Sequence, residues 1–229
     1  MQKVLIVSPH PDDAELAMGG TIAKMVEAGF DVKIVDLTDG EPTPFGTRQN
    51  RLREASTAAE ILGVSRINLD MPNRKLQANL ENRRTLAQIF REHKPDMMFG
   101  PVLPDLHPDH NEAVRLIEYS RFDAKLCKTD MSYDAHWVPK YYQYFSPHRN
   151  VITGFSFVVD ISKQWQAKVK SILAYQSQLK HLSASNNNVP LIRKIWIVNS
   201  YFGIAGGTAF AEPFFSADMV CFKNVCDLF

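Results

Sequence analysis

Between Val4 and Ser120 the chain alternates apolar extended runs with amphipathic helical patterns four times. Val4–Val7, Val32–Leu37, Ile67–Leu69 and Met97–Phe99 read as buried strands. Glu15–Ala28, Arg48–Leu62, Leu80–Glu92 and Asn111–Ser120 read as the helices that follow them, with Gly29 and Gly63 as helix stops. Such alternation predicts an α/β fold: a mostly parallel sheet, right-handed crossovers, and helices on both faces. In sheets of this kind ligands bind at the carboxyl ends of the strands.

The second half is less regular. Tyr141–Phe145 and Phe155–Val159 read as strands, Ile161–Lys180 as a long helix, Ser183–Asn188 as a polar loop, Leu191–Phe202 as a helix, and Phe214–Phe222 as a final extended stretch. No linker, repeat or low-complexity tract separates the halves, so residues 1–229 are expected to form a single domain.

Two clusters of polar residues stand directly after strands. Pro9-His10-Pro11-Asp12-Asp13-Ala14-Glu15 follows Val4–Val7, and His107-Pro108-Asp109-His110 follows Met97–Phe99. Burying an imidazole and three carboxylates unpaired is costly, whereas a metal ion would use them. Together the clusters offer two imidazoles and a carboxylate, the ligand set of a three-ligand catalytic zinc. His10 and Asp13 are three residues apart on a turn into a helix, so both can face one ion, and His110 is the third ligand. Asp12 is then left as a general base toward a water that the metal acidifies. His107, if protonated, could donate to the oxyanion of a tetrahedral intermediate, and Asp109 could orient one of the histidines. Either cluster alone has a plainer account. Asp12 and Asp13 could cap a helix, and His107 and His110 could be surface groups on a Pro-rich loop. Two such clusters at strand ends in one chain favour the metal.

Other features carry less. Gly19-Gly20 lacks the remaining residues of a phosphate loop and suits tight helix packing. Arg48, Arg51 and Arg53 stand at a helix start and read as a solvated, ion-paired face or as a substrate anion site. Tyr141, Tyr142 and Tyr144 suit a core or rim better than a sugar platform.

These residues resemble the PIG-L/LmbE family of zinc-dependent N-deacetylases. The resemblance rests on the two clusters, on Gly19-Gly20-Thr21, on Leu37-Thr38-Asp39-Gly40-Glu41, and on Arg51-x-x-Glu54 through Leu62-Gly63. Ala174-Tyr175-Gln176-Ser177-Gln178 and Ala211-Glu212-Pro213-Phe214 support it. It implies a Rossmann-like fold and removal of acetyl from a GlcNAc-type sugar conjugate. It gives metal ligation to His10, Asp13 and His110, and the preference for Asp13 over Asp12 as ligand rests mainly on it. It gives the base to Asp12, a transition-state role to His107 and an electrostatic one to Asp109. Glu41, Arg51 and Arg53 are the candidate substrate contacts. The metal is Zn2+, with Fe2+ or another divalent ion as the alternative. Length and late motifs look most like the bacterial branch that includes the bacillithiol-biosynthesis deacetylase, in which a homo-oligomer, often a hexamer, is usual. Leu106, where many of those relatives carry arginine, and the absence of a basic run around Val198–Gly207 are departures from that branch.

Composition bounds the remaining classes. Formal net charge is +1 with no long basic run, which gives nucleic-acid binding little support. No apolar stretch approaches the roughly 20 residues that span a membrane. The first strand starts almost at the N-terminus, so no signal peptide is expected. Three cysteines, Cys127, Cys221 and Cys226, suggest a reduced cytoplasm rather than a disulfide framework, and Cys221 and Cys226 suit buried thiols better than a metal pair. Alternatives to the deacetylase are a thiol-conjugate amidase on the same scaffold and a non-catalytic sugar- or metal-binding protein. The spare carboxylate Asp12 argues against the last.

Overall fold

The computed structural model of the protein describes residues 1–146, 152–179 and 190–221. Its strands are β1 (Lys3–Ser8), β2 (Asp31–Thr38), β3 (Ser65–Met71), β4 (Met97–Pro101), β5 (Lys140–Tyr144), β6 (Phe157–Asp160) and β7 (Ala211–Phe215). Its main helices are α1 (Asp13–Glu27), α2 (Arg48–Leu62), α3 (Leu80–His93), α4 (Pro108–Ala124), α5 (Trp165–Leu173) and α6 (Leu191–Ala205).

All seven strands join one sheet in the order β3-β2-β1-β4-β5-β7-β6. The strands β1 to β5 pair in parallel, and β7 runs antiparallel to both its neighbours. Alternate residues of β1 enter opposite layers, as the pleat requires. Leu5 and Val7 pack with Phe90 of α3 and Leu116 of α4. Val4 and Ile6 pack with Met18 and Ile22 of α1. Helices therefore cover both faces. Local caps start α2 and α3: Thr47 accepts from the Asn50 N–H at 3.2 Å, and Asn79 from the Asn82 N–H at 2.9 Å.

From β1 the chain moves outward to β2 and β3, then returns past β1 to β4. The connections leaving β1 and β4 thus diverge, and a crevice opens between their carboxyl ends. Both polar clusters sit there.

Helix starts differ from the sequence expectation in a way that matters. α1 begins at Asp13 rather than Glu15, and α4 at Pro108 rather than Asn111. Asp13 and His110 therefore stand in first turns, held by helical backbone. α1 is also broken: Met18 has φ −139° and ψ 23°. The backbone groups freed there are met by a buried ion pair. Glu212 accepts the Gly20 and Thr21 N–H groups at 3.0 and 2.7 Å, and Lys168 Nζ donates to Glu212 Oε1 at 2.5 Å and to the Ala17 carbonyl at 3.4 Å. A Cβ on Gly20 would lie 2.7 Å from Ile161 Cβ, so Gly19-Gly20 serves close packing, as the sequence suggests.

α5 stops at Leu173 instead of running on from Ile161 to Lys180. Side-chain docking turns the chain there. Tyr175 is buried and donates to Glu15 Oε1, Ser177 bonds Glu54, and Gln178 Nε2 donates to Thr43 Oγ1. Lys180, the Ser183–Asn188 loop, Phe222 and Cys226 lie outside the described residues. β6 starts at Phe157 rather than Phe155, and the last strand is Ala211–Phe215, earlier than the expected stretch. Cys221 is exposed rather than buried, and Cys127 is exposed as well. Among the described residues no helix is long and apolar enough to cross a membrane.

Candidate active site

The turn leaving β1 builds one wall. Pro9–Asp12 lead into α1, and the Asp13 N–H donates to the His10 carbonyl at 3.3 Å. Asp13 folds back in return: its Oδ2 accepts the His10 N–H at 3.0 Å and lies 3.1 Å from His10 Nδ1. Asp12 caps the helix with φ 102° and ψ −28°, a left-handed backbone that a non-glycine residue adopts at a cost.

The loop leaving β4 builds the other wall. His107 caps α4, its Nδ1 accepting the Asp109 N–H at 3.2 Å, and Pro108 fills the first helical position. This presents His110 inward. Its Nε2 lies 3.2 Å from Asp13 Oδ2, and its Nδ1 lies 3.3 Å from Asp105 Oδ2. Asp109 reaches across to His10 Nε2 at 3.2 Å, while accepting the Arg74 and Leu76 N–H groups at 2.6 and 3.3 Å. The two clusters, about a hundred residues apart in sequence, are thus joined through Asp13 and Asp109.

The three imidazoles are close neighbours. Ring centroids lie 4.7 Å apart for His10 and His107, 5.3 Å for His10 and His110, and 5.1 Å for His107 and His110. Among the described residues, one ligand atom from each of His10, His107 and His110 lies within 4.8 Å of the others. His107 is therefore as close to the cluster as the two histidines that the sequence marks as ligands.

Charge argues for a cation here. Burial alone would lower His110, but Asp13 and then Asp105 outweigh it and raise the imidazole to about 10. Burial is likewise outweighed at His10, which Asp109 and Asp13 raise. Asp13 is held well below the usual carboxylate range, against burial, by His110 and His10. Asp109 is lowered against burial by His10 and by the Arg74 and Leu76 amides. Carboxylates on both walls thus demand positive charge at the imidazole nitrogens. Protons can supply it, and so can a divalent ion bound by nitrogen and oxygen donors. The residues present fit such an ion.

Two groups are tuned differently. Burial lifts Asp12 to about 7, with Arg51 pulling it down and Asp13 pushing it up. Burial, followed by His10 and His110, pushes His107 down to about 4. His107 is then neutral near pH 7 in this arrangement, whereas the sequence reading gives it a donor role if protonated. With Nδ1 accepting the Asp109 amide, the ring proton belongs on Nε2.

The three candidate substrate residues point in different directions. Arg51 is buried against Asp12. Glu41 is engaged in its own loop, accepting the Thr43 N–H at 2.6 Å and its hydroxyl at 2.7 Å. Arg53 is exposed and donates to Asn50 Oδ1 at 3.0 Å. Tyr141 and Tyr144 are core residues, Tyr144 donating to the Val7 carbonyl at 3.0 Å. Sequence reasoning missed Asp105, whose Oδ1 also accepts the His107 N–H at 2.8 Å. The signal available was a carboxylate two residues before His107. Arg48 is the exposed, ion-paired residue that the sequence reading allows, 3.2 Å from Asp39 and 2.8 Å from Asp70 at the ends of β2 and β3.

The chain is similar to several known proteins. Residues 5–119 match the family model described as GlcNAc-PI de-N-acetylase, PIG-L. The chain is 31% identical to a diacetylchitobiose deacetylase of Thermococcus kodakarensis, over 93% of this chain and 82% of that protein. It is 27% identical to a 4-oxalmesaconate hydratase of Pseudomonas putida, over 85% of this chain and 80% of that one. Among solved structures, a conserved protein of Thermus thermophilus superposes with a TM-score of 0.87 at 34% identity, covering 97% of each chain.

Proposed function

Because the chain belongs to the GlcNAc-PI de-N-acetylase (PIG-L) family, we propose that it is a metal-dependent hydrolase that removes the N-acetyl group from a GlcNAc-type sugar conjugate. The observation that carries the reading is Asp13 Oδ2 lying between His10 and His110 while Asp12, the residue before it, is ion-paired with Arg51. His10, Asp13 and His110 would hold the ion, with His107 beside them. When bound, a divalent ion polarises the amide carbonyl and acidifies water.

The remaining chemistry belongs to the chain. Asp12, raised by burial to about 7, takes a proton from water as the water oxygen bonds to the carbonyl carbon. The neutral His107 donates through Nε2–H to the oxygen that gains charge. Collapse breaks the C–N bond, and the proton held by Asp12 passes to the departing nitrogen. Acetate and the free amino sugar leave. Asp109 and Asp105 hold His10 and His110 in the required orientation.

The similarity to a diacetylchitobiose deacetylase, which spans most of both chains, makes a neutral chitobiose-type sugar the first substrate to test. N-acetyl-α-D-glucosaminyl L-malate is the second, from the name of a probable deacetylase of Bacillus anthracis that is 32% identical over 47% of this chain. The hydratase relative motivates a second reading on the same scaffold, addition of water to a carbon–carbon double bond. The test is acetate release by the metal-loaded protein from N,N'-diacetylchitobiose and GlcNAc–malate, with 4-oxalmesaconate hydration in parallel. Acetate release that a chelator abolishes is the expected result. Hydration without any acetate release would replace the deacetylase reading.

A further inference from the structure

The amino ends of β1, β2 and β3 carry another group of polar residues, at the end of the sheet away from the crevice between β1 and β4. Lys3 lies opposite Asp31 in register, Leu5 opposite Lys33, and Lys33 opposite Ser65. Leu5 faces α3 and α4, so the pleat turns Lys3, Asp31, Lys33 and Ser65 toward the same side. There they meet His93, the last residue of α3. These residues and Pro95 line a cavity of about 110 Å³, room for several water molecules. Lys3 is exposed and Lys33 and His93 are half-buried, so an ion can enter from solvent.

The group is short of negative charge. Lys33 Nζ lies 3.4 Å from His93 Nδ1 and 3.3 Å from His93 Nε2. A neutral imidazole has one nitrogen that accepts, so an ammonium placed over both makes at most one good hydrogen bond there. Among the described residues, neither Lys3 nor Lys33 has a carboxylate oxygen within 4.0 Å of its ammonium. Burial and then Lys33 hold His93 below its ordinary value, with Glu92 and Asp31 pulling the other way. Asp31 is the carboxylate that lines the cavity, so two ammonium groups and an imidazole face one negative charge.

We propose that this cavity is a binding site for a phosphoryl group, as free phosphate or a phosphomonoester, held by Lys3, Lys33 and His93 with the Ser65 hydroxyl. Lysine meets an anion as a point charge from any side, which suits a tetrahedral oxyanion, whereas a planar carboxylate matches the fork of an arginine. Donors reach the cavity from three strands and a helix end, so several oxygens of one anion are engaged at once. A phosphate dianion replaces the Lys33–His93 contact with a charge-assisted bond to each partner. The site does not depend on the deacetylase reading, because it lies at the opposite ends of the strands from His10 and His110.

The test is titration of the metal-loaded protein with inorganic phosphate and with glycerol phosphate at low ionic strength. Calorimetry gives the affinity, and NMR follows the imidazole resonances, those of His93 being assigned by their loss in His93→Gln. The His93 resonances should move to saturation with the same affinity that calorimetry reads. Lys33→Met should weaken this binding by roughly tenfold or more, the worth of one charge-assisted hydrogen bond. Lys3→Met, a second variant that leaves the ladder of β1 intact, should weaken it in the same direction. Lys170→Met removes an exposed lysine elsewhere and should leave the affinity within about twofold. Similar affinity for both ligands assigns the site to phosphomonoesters, and preference for phosphate assigns it to the free ion; either result supports the proposal. Binding that leaves His93 unmoved, or that neither Lys33→Met nor Lys3→Met weakens, belongs to the metal centre and overturns it. An equal loss in Lys170→Met would show net charge alone at work, and no binding at about 10 mM phosphate would show no site; each overturns the proposal.

Discussion

His110 has no solvent-exposed surface and lies between Asp13 and Asp105, one on each ring nitrogen. That double engagement fixes the ring and leaves Nε2 toward Asp13. Replacing His110 by Ala should remove metal and activity together. Metal analysis of the purified variant is the check, and full occupancy would sink the ligand assignment. Asp105→Asn keeps the shape of the contact but removes its charge. It should weaken metal binding by roughly 10–100-fold, as loss of such outer partners does, measurable by competition with a chromophoric chelator. His107→Ala should keep the metal and lower kcat by about 10²–10³-fold if His107 is the oxyanion donor. Loss of the metal in that variant would make it a ligand instead, as its 4.7 Å approach to His10 allows. Asp12, Asp13, His107 and His110 were legible because unusual residue types crowd beside short apolar runs. The inward turn of Arg51 was not, because α2 alone has no feature that tells which of Arg48, Arg51 and Arg53 meets the turn after β1.

Among the elements, α1 is a helix broken at Met18 and stitched by residues from α5 and β7. The break sets the first turn, which carries Asp13, at an angle to the rest. Removing one partner of a buried pair strands the other charge, at about 3–5 kcal/mol. Glu212→Gln should therefore unfold at a markedly lower temperature than the double variant Glu212→Gln with Lys168→Met. Calorimetry that ranks them the other way would show that the pair is not what holds the break. Gly20→Val would drive a side chain into Ile161, an overpacking worth roughly 1–3 kcal/mol, or about 2–12 °C in Tm for a chain of this size. The turn after β6 offers a pH signature. Asp160 accepts from the Ser162 hydroxyl, the Thr208 hydroxyl and the Ser162 N–H, which lower it from 3.8 to about 2. A carboxyl lowered in the folded state stabilises above its unfolded value and loses that contribution as pH falls through the folded one. The Tm gap between the wild type and Asp160→Asn should be constant above about pH 5 and vanish between about pH 4 and pH 2. A gap that persists at the acid end would mean that the charge is not its source.

For the molecule as a whole, sheet order decides where the chemistry lies. Placing β4 beside β1 brings residues 10–13 against residues 105–110. An ion held by both walls would tie the two halves of the parallel sheet together. At a thousandfold excess over Kd, binding to the folded chain alone is worth about 4 kcal/mol. Chelation should then lower Tm by on the order of 10 °C, and His110→Ala should show no such response. A homo-oligomer, expected from the family resemblance, has a candidate contact in α6, where Trp196, Ile197, Tyr201 and Ile204 are all exposed. Light scattering should give more than one chain per particle at micromolar concentration, and a stable monomer would end that expectation.

The alternation of strand and helix, the two clusters at strand ends and the chemistry those residue types can support all follow from the order of residues alone. These are local properties: an apolar run of strand length, a helical period, and carboxylates and imidazoles too costly to bury without a cation. Which of the neighbouring groups face one another is settled only by packing between elements. Asp13 rather than Asp12 lies between His10 and His110, because Asp12 is drawn off by Arg51 from another helix. His107 is neutral near pH 7 because burial and two other imidazoles bear on it. Asp105 matters because the loop after β4 turns it onto His110. Each of these depends on through-space distances between elements far apart in sequence, and the pattern along any one of them does not contain that distance.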